Sequence, residues 1–238
     1  CSSDLFESGC SHGSANACHN VGYMYETGEG VDADVPKALT FYRRGCEAGK
    51  GPSCTNAGII RYQGRGGATE NAQEAARWYR RACKLKDPQG CYNLAVMARA
   101  GALDGSEAPQ VRPVLKNACD QDVWRACTSL GDLLQRGVAG PKDLPRARKT
   151  FDRACRNDPG SACVFQAWMA LTGEGGPKDP QRAVTLFRKG CKGGSGEGCY
   201  NLALLYQKGR AGLDASAQQA GEFFDRACEA GYDKACAK

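Results

Sequence analysis

The stretch VGYMYETGEGVDADVPKALTFYRRGCEAGKGPSC, residues 21–54, contains each element of the fold once. Residues 18–25 place apolar side chains at the three- and four-residue spacing of one helix face. Gly28 then suits the left-handed position that ends a helix. Asp34 followed by Pro36 is typical of the start of the next helix, because the carboxylate can accept from the free N–H groups of the first turn. The stretch therefore predicts two helices, A and B, joined by a glycine-rich turn.

The arrangement recurs along the 238-residue chain, and the cysteines mark its period. They form seven pairs with seven residues between the members: Cys10 and Cys18, Cys46 and Cys54, Cys83 and Cys91, Cys119 and Cys127, Cys155 and Cys163, Cys191 and Cys199, and Cys228 and Cys236. Successive pairs are offset by 36 or 37 residues, a period typical of a solenoid in which each repeat packs against its neighbours. We expect one all-α domain over residues 1–238, with six helix-turn-helix repeats that start near residues 10, 46, 83, 119, 155 and 191. Residues 1–9 and 228–238 are expected to cap its two ends as half-repeats.

Other residues repeat with the cysteines. Ten residues after the second cysteine of a pair stands a glycine: Gly28, Gly64, Gly101, Gly137, Gly173 and Gly209. Twelve residues before the next pair stands a capping residue in five of the six repeats, Asp34, Asn71, Asp143, Asp179 and Ser216, with Glu107 as the exception. We number repeat positions from the second cysteine as zero. Position 4 is always Gly or Ala, which predicts close approach of two helices.

The cysteine spacing also indicates how the bridges pair. Pairing within each C-x7-C unit has a constant separation, whereas pairing across a repeat would vary between 28 and 29 residues and would leave Cys10 and Cys236 without partners. We therefore expect seven local disulfides, with Cys1 left over. The alternative is a zinc site at Cys10, His12, Cys18 and His19, although C-x7-C is not a usual zinc spacing.

The repeat resembles the Sel-1-like repeat family. The resemblance rests on LALLYQKGRAG at residues 202–212, and on the G-x-G-V turn and K-A-L-x-F-Y-R-R-G-C helix of residues 28–46. The cysteine-paired form is similar to the Helicobacter cysteine-rich proteins. The third repeat departs most, with Val111, Val114 and Leu115 in place of alanines and aromatics, and Gln166 in the fifth repeat occupies an otherwise apolar core position.

This resemblance implies a right-handed α/α superhelix whose concave face binds a peptide or protein partner, as a non-catalytic adaptor with no cofactor or metal. Some cysteine-rich relatives are penicillin-binding proteins or weak β-lactamases, which gives an enzymatic alternative. The chain has no S-x-x-K, S-D-N or K-T-G motif for that chemistry. A further alternative is an assembly factor of the mitochondrial intermembrane space.

The candidate binding surface comes from positions 2, 5 and 9 of helix A. Position 2 carries amides that can hydrogen-bond an extended peptide, namely Asn20, Asn56, Asn93 and Asn201. Position 9 adds the cations Arg136 and Lys208, and position 5 adds the aromatic residues Tyr23 and Trp168. The alternative is that the amides bond locally between neighbouring helices and the aromatics pack between repeats.

Composition constrains the compartment. Fifteen cysteines and two histidines indicate an oxidising, extracytoplasmic location, because reducing compartments keep thiols free. The net charge of +6 is too small and too dispersed to predict nucleic-acid binding. Cys1-Ser2-Ser3 resembles the start of a mature bacterial lipoprotein, which predicts lipid attachment at Cys1 and a periplasmic or outer-membrane location, with secretion as the alternative. A free thiol, an intermolecular link or an arbitrary boundary at Cys1 stays open.

Overall fold

The computed structural model describes residues 2–67, 69–105 and 107–236. Within these residues the chain forms fourteen α-helices and no strand. From α1 to α14 their bounds are Ser2–Ser11, Ala15–Thr27, Val35–Glu47, Gly51–Gln63, Ala72–Lys84, Pro88–Arg99, Ala108–Asp120, Trp124–Arg136, Leu144–Asn157, Ser161–Thr172, Pro180–Lys192, Gly196–Lys208, Ala217–Glu229 and Asp233–Cys236. The even-numbered helices α2 to α12 are the A helices and the odd-numbered helices α3 to α13 are the B helices, so the all-α repeat prediction is confirmed.

The chain divides into two compact units. Unit 1 comprises the residues up to Ser129 together with Val138–Gly140, and unit 2 comprises Leu130–Gly137 and the residues from Pro141 onward. Among the described residues, no helix is both long enough and apolar enough to cross a bilayer.

The helix ends form where the sequence predicts them. Asp34, Asn71, Asp143, Asp179 and Ser216 each accept a hydrogen bond from the backbone N–H three residues later. Gly28 ends α2 with φ 78°, and the other five predicted glycines also have positive φ. An L side chain there would meet its own backbone, so glycine ends the helix at little cost.

Glu107 departs from this pattern for a clear reason. Its backbone is helical and its side chain makes no capping bond. The carboxylate is instead buried and pairs with Arg80 of α5, and Arg77 of the same helix lies 3.8 Å away. The third repeat therefore replaces a helix cap with an ion pair to the preceding helix B.

Small residues at position 4 let a ring of helix B lie directly on helix A. A β-carbon at Gly58 would lie 2.6 Å from the ring of Tyr79, and one at Gly131 would lie 2.6 Å from the ring of Phe151. Both distances are shorter than carbon atoms can approach without movement. The predicted close approach is therefore confirmed, and its cause is an aromatic side chain.

The seven local disulfides are present, as predicted, and in each pair the two Cα atoms lie 4.5 to 4.9 Å apart. The first bridge joins Cys10 of α1 to Cys18 of α2. The other six join the last turn of a B helix to the first turn of the following helix. They link Cys46 to Cys54, Cys83 to Cys91, Cys119 to Cys127, Cys155 to Cys163, Cys191 to Cys199, and Cys228 to Cys236.

With Cys10 and Cys18 bonded to each other, neither thiol is free to bind a metal ion, so the zinc alternative at Cys10, His12, Cys18 and His19 is not what the structure shows. Cys1, where lipid attachment is predicted, lies outside the described residues.

Candidate functional site

In unit 1 the position 2 amides join neighbouring repeats. The phenol of Tyr42, fully buried on α3, donates to Oε2 of Glu26 at 2.7 Å and accepts from the amide of Asn56 on α4. Arg65 donates to the other Glu26 oxygen at 2.6 Å. Burial, and then the hydrogen bond to Glu26, raise the pKa of Tyr42 above its ordinary value of 10. The phenol therefore stays neutral and holds three helices together.

The next repeat contains the same contact. Asn93 on α6 donates to the phenol of Tyr79 on α5, and Nε2 of Gln89 donates to Oδ1 of Asn93 at 2.8 Å. Burial, and then Tyr62, raise the pKa of Tyr79 to about 12. Asn56 and Asn93 are both half-buried. Their amides are engaged inside the protein, as the local alternative expects.

Unit 2 replaces these tyrosines with phenylalanines, and the amide at position 2 changes with them. Phe187 of α11 offers no hydroxyl, and Asn201 of α12 instead donates to the carbonyl oxygen of Glu197 at 2.9 Å. Asn201 is only 8% exposed. A fully exposed ladder of amides is therefore not what the structure shows, because position 2 faces the preceding helix B.

Three of the sequence-predicted residues do meet in one cavity of unit 2. Trp168, Asn201 and Lys208 all line a cavity of about 460 Å³ between α10 and α12. Its apolar wall is formed by Leu171, Leu204, Leu205 and Phe187, with Trp168 packed edge-on against Phe187 at 5.5 Å between ring centroids. Trp168 is 40% exposed, so its indole has a face available to a partner.

The rim of this cavity is cationic. Lys178 comes from the turn before α11, Lys208 from the end of α12 and Arg210 from the turn that follows. All three are exposed, and none of them forms an ion pair with an acidic side chain of the described residues. An apolar wall beside unpaired cations can take an apolar side chain and a neighbouring carboxylate.

Unit 1 has a smaller cavity at the same repeat positions. It measures about 250 Å³ and is lined by residues at positions 5 and 8 of one helix A, the ring of helix B, and positions 2, 5 and 6 of the next helix A. These are Ile59, Tyr62, Tyr79, Asn93, Val96 and Met97, and the equivalents in unit 2 are Trp168, Leu171, Phe187, Asn201, Leu204 and Leu205. Position 9 contributes the neutral Gln63 of the first helix A to the unit 1 cavity, and the cation Lys208 of the second helix A to the unit 2 cavity. The two cavities are therefore formed largely by the same repeat positions, and they differ in the charge of their lining residues.

The remaining predicted residues lie elsewhere. Asn20 and Tyr23 are exposed on α2, and 48% of Tyr23 is accessible. Asn56 lies in the contact between α3 and α4 described above. Arg136, at the end of α8, pairs with the buried carboxylate of Asp132 at 2.6 Å.

Sequence reasoning missed Lys178 and Arg210. Both belong to inter-helix turns, and their side chains reach the cavity because of how those turns fold after Gly173 and Gly209. The repeat pattern holds one usable signal, which is that positions 5 and 8 are apolar in the fifth repeat although they lie outside the core face. Among the described residues, no three His, Cys, Asp or Glu side chains are grouped so that they could hold a metal ion.

Comparison with known proteins gives the family. The Sel1 repeat model matches residues 15–50, 51–87, 124–159, 161–195 and 196–232. These matches leave out residues 88–123, which contain the divergent helix B of the third repeat. Cytochrome c oxidase assembly factor 7A of Xenopus laevis is 31% identical over 90 residues, which is 37% of this chain. The match spans only 39% of that relative.

Two solved structures extend the comparison. A protective antigen of uropathogenic Escherichia coli with an SLR fold superposes with a TM-score of 0.75 at 24% identity, over 98% of this chain and 50% of its own. Cysteine rich protein B of Helicobacter pylori superposes with a TM-score of 0.46 at 26% identity, over 55% of this chain and 93% of its own. With five repeats matched across most of its length, the chain belongs to the Sel1 repeat family.

Proposed function

We propose that the protein is a non-catalytic, extracytoplasmic scaffold that binds a segment of a partner protein in the unit 2 cavity. Sel1 repeats mediate protein–protein interactions. The observation that carries the proposal is the apolar wall of Trp168 and Leu204 beside the unpaired cations Lys208 and Arg210. A segment with one large apolar side chain next to Asp or Glu fits this chemistry.

The extracytoplasmic location is part of the same proposal. Seven disulfides, most of them with buried sulfur atoms, need an oxidising compartment to form. Lipid attachment at Cys1 and a periplasmic or outer-membrane site stay predictions. Mass spectrometry of the N-terminal peptide from the native source tests them, and an unmodified Cys1 would count against both.

A peptide-binding assay tests the cavity. A labelled decapeptide with a central Leu flanked by Glu should bind more tightly than the same peptide with Lys flanks. The double variant Lys208→Gln with Arg210→Gln should lose about tenfold in affinity, the scale of one or two charge-assisted contacts. Lys192→Gln, an exposed lysine of α11 outside the cavity, is the matched control. Equal binding of the two peptides, or no effect of the double variant, would refute the proposal.

The likeness to a cytochrome c oxidase assembly factor favours a second location for the same kind of scaffold. The mitochondrial intermembrane space is also oxidising, and the two proteins share 31% identity over 90 residues. Fractionation of native cells separates the candidates, because the envelope and the intermembrane space are recovered in different fractions.

A further inference from the structure

One buried polar atom of unit 2, the side-chain oxygen Oε1 of Gln166, has no hydrogen-bond partner among the described residues. Gln166 on α10 is 1% exposed, in a position that is apolar in the other repeats. Its Nε2 donates to Oδ1 of Asp152 on α9 at 2.6 Å. Its Oε1 has no hydrogen-bond partner within the part of the chain that the structure describes. A buried acceptor without a partner costs about 1–3 kcal/mol, so its retention requires an explanation.

Gln166 lines a cavity of about 320 Å³ that is distinct from the cavity of the proposed function. The other walls are Arg148, Lys149 and Asp152 of α9, Arg182 of α11 and the turn at residues 175–177. None of these residues lines the 460 Å³ cavity. The two cavities therefore present separate surfaces of one unit.

The turn that closes this cavity is held in place. Nη1 of Arg148 donates to the carbonyl oxygens of Pro177 at 3.1 Å and Glu174 at 3.4 Å. Gly175 has φ 69°, and a β-carbon there would overlap the carbonyl oxygen of Leu144. Only glycine permits this close approach of the turn to α9. The backbone conformation of the turn therefore fixes this wall of the cavity.

The charges of the cavity favour an anion. The carboxylate of Asp152 is already matched, because Arg182 and Arg156 approach it at 3.1 Å and 3.0 Å in addition to Gln166. Lys149 is exposed and forms no ion pair with the described residues. Three cations and one neutralised carboxylate line the space. A ligand that pairs with every polar group of the cavity must have a negative charge for the cations. It must also have one hydrogen-bond donor for Oε1 of Gln166.

We propose that this cavity binds an N-acylated amino acid, with the carboxylate on Lys149 and Arg182 and the amide N–H on Oε1 of Gln166. In this chemical group the carboxylate and the N–H donor are attached to the same carbon, which matches a cationic rim next to a buried acceptor. Two sources supply it, a free N-acyl amino acid and the carboxyl terminus of a peptide.

Calorimetry with N-acetylalanine, propionate and N-acetylalanine amide tests the assignment. We expect N-acetylalanine to bind at least about tenfold more tightly than either comparison ligand, since each of these lacks one of the two contacts. A tetrapeptide with a free carboxyl terminus and its amidated form then distinguish the sources. Equal binding of propionate and N-acetylalanine would show a non-specific anion site and overturn the proposal, as would no binding of either.

Two variants make the test specific to the residues. Gln166→Met keeps the shape but removes the acceptor, and should abolish the preference for N-acetylalanine over propionate. Lys149→Gln, on an exposed side chain, should weaken both ligands about tenfold, and Lys192→Gln should weaken neither. If Gln166→Met is poorly folded by circular dichroism, the Lys149→Gln result decides: unchanged affinity there rejects the site.

Discussion

Tyr42 lies so close to Gly22 that a β-carbon on Gly22 would be 2.7 Å from Cδ1 of the ring. The same ring donates its hydroxyl proton to Glu26, which lies one helical turn further along α2. Glycine at this position therefore sets the distance between α2 and α3, and the ring sets their register. Alanine occupies the equivalent position in the third, fifth and sixth repeats.

Replacing Gly22 with Ala should destabilise unit 1. The added methyl group must displace a buried ring, and overpacking of this kind costs about 1–3 kcal/mol. Gly221→Ala is the matched control, because Gly221 also lies inside a helix but has no atom within 4 Å of its added β-carbon. The control should be neutral or stabilising by up to about 1 kcal/mol. Urea unfolding followed by circular dichroism measures both, and equal midpoints would contradict the packing argument.

Asn56→Ala should lower the free energy of unfolding by about 1–2 kcal/mol. The change removes a donor from the buried hydroxyl of Tyr42. Asn20→Ala is the control, since Asn20 holds the same repeat position but is exposed. If Asn56 served only to bind a peptide and did not stabilise the fold, both variants would instead keep the melting temperature of the unmodified protein.

Acidification should weaken unit 1 through His19. Burial, and then the positive charge of Lys50, lower the pKa of this imidazole below its ordinary value of 6.5, and Nδ1 lies 3.0 Å from Oγ of the buried Ser53. The unfolded chain then binds the proton more readily than the folded chain, so the stabilisation is complete above pH 6.5 and is lost as the pH falls through the folded pKa. NMR titration of the two histidines measures this directly, with the exposed His12 as the second signal. A His19 midpoint at or above 6.5 would disprove it.

Reduction should add fourteen hydrogens to the intact mass of the seven-bridge protein. Peptide mapping should link Cys46 to Cys54, and a peptide that joins Cys18 to Cys46 would refute the local scheme. The double variant Cys83→Ser with Cys91→Ser should lose about 2–3 kcal/mol, the chain-entropy estimate for a loop of this size.

Much of the fold can be predicted from the sequence because its determinants are local. Caps such as Asp34, helix-ending glycines such as Gly28 and the cysteine spacing each act within a few residues of their own position. Their agreement over six repeats leaves few other structures possible. Glu107 departs from the capping pattern because its partner, Arg80, belongs to the previous helix B. A local sequence pattern does not contain that contact.

The candidate site was less predictable because it depends on contacts between repeats. Position 2 lies on the helix face away from the core of its own repeat, but the preceding helix B covers it, as Asn201 shows. Trp168 and Lys208 can be singled out from their repeat positions, whereas Lys178 and Arg210 reach the same cavity from turns. Gln166 stands out in the sequence as a polar residue at a core position, but its unpaired oxygen is visible only in three dimensions.

The bridges also change what a protease can do to this protein. Each pair of cysteines encloses the turn between two helices, and Lys50, Lys86 and Lys192 stand between the bridged cysteines of three pairs. Cleavage of the backbone after any of them leaves the two pieces covalently joined through sulfur. A nicked molecule therefore keeps its helices in place and runs as one species on a non-reducing gel. Exposed turns are the usual points of proteolytic attack. In this protein, the helices on either side of such a turn are joined both by the backbone and by a disulfide.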